Sequence, residues 1–153
     1  MMQQDLIRQL DEAVTEVFAV MLNLACTSES EPDQQIPVPH LRFNASVLFS
    51  GPLEARFCLQ LEERTAAALT SNLMGMSPRE ISTGLCADTA GELCNMIAGT
   101  WKKRHPKDLA ASQLSCPIVT LGHRQHAVDS FREAVTLLFL VDGHRLTLRL
   151  AFN

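Results

Sequence analysis

The chain has 153 residues, of which 46% are apolar, 20% charged and 5% aromatic, a mixture that excludes a disordered or fibrous polypeptide. A chain this long buries about 68–70% of the surface it exposes when unfolded, enough for one core, so residues 1–153 are expected to form a single domain. Thirteen basic residues against seventeen acidic ones leave a net charge of −4, which offers no general attraction to phosphate backbones or anionic lipids; neither nucleic acid nor a membrane is an expected partner.

Met1 to Glu12 lacks the basic-then-apolar order of a secretory signal. The longest wholly apolar run, Leu137–Val141, is far short of the roughly 20 residues that span a bilayer, and a cytoplasmic location is expected. The five cysteines, Cys26, Cys58, Cys86, Cys94 and Cys116, contain no C-x-x-C pair and sit among apolar or small residues. They read as reduced, mostly buried thiols.

Leu6, Leu10, Val14, Val17, Met21 and Leu24 recur at spacings of four and three, which predicts a long first helix packed by one apolar stripe. Thr27–His40 holds three prolines and three acids without periodicity and reads as an exposed loop. The period then becomes two: Leu41–Phe49 and Leu53–Leu61 alternate around Gly51-Pro52 and predict a pair of antiparallel strands. Glu62–Met74 is helical in composition, with Gly75 placed to stop it in a left-handed conformation. A third helix is expected from Gly84 to Arg104, closed by Pro106.

Leu114–Leu121 reads as a strand, and the following HRQHAV is ambiguous. Phe131–Val141 and His144–Phe152 flank Asp142-Gly143, the strongest hairpin signal in the chain, with Phe139 opposite Leu146, Leu137 opposite Leu148 and Val135 opposite Leu150. The other face of this hairpin mixes Leu138 and Leu140 with Arg145, Thr147 and Arg149, which suits a second helical layer or a subunit contact. Helix, two strands, two helices, then three or four strands describe an α+β fold in which an antiparallel sheet packs against long helices.

On the third helix, at about 100° per residue, Asp88, Glu92 and Asn95 fall within about 60° of one another, and Gly99 lies in the same arc. Cys86, Ala90, Leu93, Cys94, Ile97 and Trp101 project from the opposite side. Many surface helices carry a polar face, and an Asp near the start favours the helix dipole. This face is chemically narrow, however: carboxylate and carboxamide stand one turn apart beside Gly91 and Gly99, and glycine inside a helix costs about 1 kcal/mol against alanine. Such glycines suit a surface on which another backbone comes close. The histidines His105, His123, His126 and His144 lack metal-ligand spacing, and no P-loop, G-x-G-x-x-G or Ser/His/Asp arrangement occurs. Lys102-Lys103-Arg104 complements the negative C-terminal end of the helix.

The pattern D-x3-E-x2-N formed by Asp88, Glu92 and Asn95, with Pro117 beyond it and the string GELCNMIAG around it, resembles the active-site helix of the CheX and CheC chemotaxis phosphatases. One copy of the pattern, with the length and element order, resembles CheX over nearly the whole chain. The resemblance implies a CheX-like fold, a homodimer, and hydrolysis of the phosphoaspartate on a CheY-like response regulator in two-component signalling. It further implies that Asn95 orients the attacking water and that Glu92 pairs with the regulator's lysine. Asp88, Pro117 and Gly99 are supporting positions; Asp88 either caps the helix or faces the partner, and Pro117 shapes the adjacent strand. No metal or cofactor is expected on this chain, since the regulator supplies its own Mg²⁺. Two other readings remain from the residues alone: a non-catalytic CheX-like module that docks on a regulator or receiver domain, and a structural subunit.

Overall fold

A computed structural model describes residues 3–29, 42–104, 111–122 and 131–153. The first apolar stripe folds as helix α1 (Gln3–Leu22), which buries Leu6, Leu10, Ala13, Val14, Val17, Phe18 and Leu22. The helix stops at Asn23, in the left-handed region at φ 53, where the Leu24 N–H donates to the Phe18 carbonyl at 3.0 Å. Leu24, expected on the stripe, therefore lies past the helix end, and Met21 is 52% exposed because Leu22 takes the core position.

Strand β1 (Cys26–Glu29) corrects the loop expected at 27–40: Thr27, Ser28 and Glu29 pair antiparallel with β6 (Glu133–Val141). Four residues are too few for a period of two to stand out, and the pairing partner lies more than 100 positions away. The remainder of that expected loop, from residue 30 to 40, lies outside the described residues, as do Pro106 and HRQHAV.

β2 (Arg42–Ser50) and β3 (Ala55–Glu62) form the expected antiparallel pair. Helix α2 (Glu63–Met74) follows, and Gly75 ends it at φ 65, ψ 26 with its N–H on the Ser71 carbonyl. A 3₁₀ turn, Pro78–Glu80, leads to α3 (Thr83–Arg104). The expected strand at 114–121 is broken in two, β4 (Gln113–Leu114) and β5 (Ile118–Gly122), both on β2. Pro117 has no N–H for the ladder. Ser115 bridges the break: its N–H donates to the Leu48 carbonyl at 2.9 Å, and its hydroxyl accepts from the Leu48 N–H at 2.8 Å.

β6 and β7 (His144–Phe152) close the hairpin in the expected register, turning through Asp142 and Gly143 at φ 49 and 76. Among the described residues the seven strands make one antiparallel sheet in the order β1-β6-β7-β3-β2-β4, with β5 also on β2. Phe43, Ala45, Val47 and Phe49 of β2, with Phe57, Leu59 and Leu61 of β3 and Leu146, Leu148 and Leu150 of β7, line its buried face. Helix α3 lies over β2 and β3 and also touches α1, α2 and β5. The architecture is α+β, as the element order predicted.

The outer face of the hairpin is less open than its composition suggests. Leu138 is only 3% exposed within the chain itself. With β1 added, β6 is no longer an edge, and Glu29 of β1 reaches across it to Arg145 of β7 at 3.6 Å. Leu138 is thus unavailable as a subunit contact.

None of the five cysteines forms a disulfide; Cys26, Cys86 and Cys94 are buried, Cys58 is half-buried and Cys116 exposed. Burial, reinforced by the charge of Asp11, pushes the Cys26 thiol up to about 12. Burial likewise raises Cys94 and Cys86. These three stay protonated near neutral pH and are poor nucleophiles.

Candidate active site

Helix α3 starts one residue earlier than expected because Ser82 caps it, its hydroxyl accepting from the Leu85 N–H at 3.2 Å. This removes the capping role from Asp88, which lies beyond the first turn and is exposed. Glu92 is exposed and Asn95 half-buried, so the three side chains stand together on the outward side while Cys86, Ala90, Leu93, Cys94, Ile97 and Trp101 are buried behind them. Successive members are about 6 and 4.5 Å apart along the helix axis.

Contacts along the buried side of α3 and at its C-terminal end hold this face in place. Next to Asp88, the buried Thr89 hydroxyl lies 2.8 Å from that of Thr70 on α2, which in turn donates to the Ala66 carbonyl at 2.7 Å. Next to Asn95, the Cys94 thiol points at two sheet carbonyls, Ala45 at 3.5 Å and Phe57 at 3.9 Å. Trp101 packs edge-on against Phe49, with ring centroids 5.4 Å apart, and stacks on Phe57 at 6.2 Å. Arg104 at the helix end joins Glu12 at 3.2 Å and Glu16 at 3.0 Å, tying α3 to α1. These exposed pairs orient more than they stabilise.

The two glycines turn out to serve different neighbours. Gly91 is buried against β5: a Cβ there would stand 3.1 Å from Val119 Cγ2 and 3.7 Å from Pro117 Cβ and Cγ. Its lack of a side chain admits this chain's own strand, not a partner. Pro117, exposed but resting on Gly91, forms a wall beside the polar face, in keeping with a role in shaping the adjacent strand. Gly99 has open space where a Cβ would be, next to a cavity shared with α1. Gly91→Val is therefore expected to cost about 1–3 kcal/mol by overpacking against β5, whereas Gly99→Ala gains roughly 0.5–1 kcal/mol from helix propensity. Urea unfolding of both variants measures this; equal effects at the two positions would refute the distinction.

Glu16, Val17, Val20 and Met21 of α1 line the same cavity; in the sequence Met21 sits on the helix stripe, while Val20 is one more apolar residue in an apolar turn, off the stripe. Among the described residues, no three His, Cys, Asp or Glu side chains gather as metal ligands, and no helix is long and apolar enough to cross a membrane. Of the four histidines weighed as ligands, only His144 lies within the described residues, at the hairpin turn.

Among curated proteins none matches the chain. In fold it is similar to the chemotaxis protein CheX from Vibrio vulnificus (14% identity, covering 96% of this chain and 95% of that one, TM-score 0.76). It is similar too to a CheX from Desulfovibrio desulfuricans (16%, 97% and 99%, 0.71). A third likeness is to the CheX–CheY–BeF3–Mg²⁺ complex from Borrelia burgdorferi (16%, 96% and 97%, 0.63). A family model described as chemotaxis phosphatase CheX matches residues 43–139, a segment that contains the whole of α3 with Asp88, Glu92 and Asn95, and Pro117 beside it. The chain belongs to the CheX family of chemotaxis phosphatases.

Proposed function

We propose that this protein hydrolyses the phosphoaspartate of a CheY-like response regulator, with Glu92 and Asn95 as its working pair. The observation that carries the reading is the outward-facing carboxylate and carboxamide one turn apart on a helix anchored by its buried side, inside the segment matched to the phosphatase family. The CheX in the Borrelia burgdorferi structure is held with CheY, BeF3 and Mg²⁺, which supports a CheY-like partner.

The chemistry asks little of the chain beyond placement. The regulator brings the acyl phosphate, its Mg²⁺ and its lysine. Water adds to phosphorus as the bond to the aspartyl oxygen breaks, releasing a carboxylate and dihydrogen phosphate, which carries the water's oxygen and both its protons until one passes to solvent. Phosphoryl transfer depends mainly on positioning and charge stabilisation, so a neutral amide suffices. The Asn95 carbonyl accepts a hydrogen bond from the water and turns its lone pair towards phosphorus. Glu92 pairs with the regulator's lysine and sets the register of the two surfaces, an ion pair that strengthens as it loses water. Asp88, on the same outward face, borders the contact. The homodimer and the cytoplasmic setting implied by family resemblance belong to the same reading.

The test is the decay of a phosphorylated CheY-like regulator from the same cell, in Mg²⁺, with and without catalytic amounts of the protein. Acceleration with turnover is expected. Binding without acceleration would instead make the protein a docking module.

A further inference from the structure

Two of the most exposed large apolar residues among those described, Val20 at 73% and Met21 at 52%, are adjacent at the C-terminal end of α1. With Val17 they face Met96 and Gly99 of α3 across a cavity of about 350 Å³, which Lys103 also lines. Met96 follows Asn95 directly, and Gly99 lies one turn further along in the same 60° arc as Glu92 and Asn95. Arg104 is engaged by Glu12 and Glu16, whereas Lys103 makes no ion pair with any described residue.

We infer that this α1–α3 groove is the seat of the phosphorylated regulator beside the reacting centre, taking an apolar side chain, with an acidic neighbour for Lys103, from the segment bordering the phosphorylation site. This rests on the reading given under Proposed function. A specific interface covers about 800 Å² on each partner, or a disc of roughly 16 Å radius, and weak signalling contacts are only somewhat smaller. The polar face of α3 is too narrow to fill such a disc. Gly99 and Lys103 lie about 6 and 12 Å along the axis from Asn95, inside it. On the β5 side Pro117 and Val119 already close against Gly91, so the side of α3 left open to an entering side chain is the one facing α1. A partner that brings phosphorus to Asn95 must then cover Val20 and Met21.

The experiment compares Val20→Asp, Met21→Asp and the control Leu48→Asp, the last an exposed residue on the other face of the sheet. The readouts are turnover of the phosphorylated regulator, binding to the regulator loaded with beryllium trifluoride and Mg²⁺, thermal unfolding, and mass in solution. The groove variants are expected to raise Kd and KM about tenfold or more, with the loss falling on KM, and to unfold as the native protein does. The control is expected to match the native protein. Native-like Kd and KM in both groove variants, while the native protein turns the regulator over, would overturn the groove and leave the phosphatase reading intact. A change in mass without a change in regulator binding would give the groove to a second copy of the chain and overturn it too. No turnover or binding by the native protein itself would remove the phosphatase reading, and the groove's occupant with it.

Discussion

Asn95→Ala is expected to reduce the acceleration of regulator dephosphorylation by on the order of 10²-fold or more, the scale on which losing one well-placed polar contact or about 1 Å of alignment slows a positioned reaction. The side chain is half-buried on a helix anchored to the sheet through Cys94 and Trp101, so truncation removes an acceptor without disturbing the mount. Asn95→Asp has the same shape but brings a negative charge to the phosphoryl oxygens, and is expected to fail as well. Glu92→Gln keeps volume and loses charge, so its penalty should appear mainly in KM. Decay of the phosphorylated regulator under Asn95→Ala at the native rate would remove the amide from the reaction. A loss in Asn95→Ala that Asn95→Asp restored would point instead to general-base chemistry.

Trp101→Ala is expected to lower stability by about 3–5 kcal/mol. The indole is fully buried, edge-on to Phe49 and stacked on Phe57, so its removal leaves a large hole between α3 and the centre of the sheet. Native domains are stable by only about 5–15 kcal/mol, so the variant should be close to unfolding at moderate temperature. Because Trp101 is the sole tryptophan, unfolding must be followed by circular dichroism in urea, with the midpoint falling at unchanged slope. A midpoint within the equivalent of about 1 kcal/mol of the native value would mean that the core closes over the gap.

The elements with strong local signals were legible in the residues. Asp142-Gly143 set the hairpin register because the turn demands positive φ at both positions, and the pairs Phe139–Leu146 and Val135–Leu150 follow from it by counting. Likewise the arc of Asp88, Glu92 and Asn95 needs only the helical period, which the alternating buried side of α3 confirms. What stayed hidden depends on distant partners. β1 exists because β6 offers it an open edge, and without β1 the burial of Leu138 could not be foreseen. Pro117 marked the interruption between β4 and β5, but the way Ser115 bridges it through Leu48 is a tertiary fact. Gly91 and Gly99 look alike in the sequence and differ only in what lies opposite.

The Cys94 thiol, directed at carbonyls of two adjacent strands from the position just before Asn95, has a consequence for how association is driven. A side chain whose backbone is already immobilised by the middle of a sheet has only its own torsions left to order when a second protein closes over it. The entropic penalty of forming the complex then falls mostly on the incoming molecule and its loops, which must adapt to a template that does not yield.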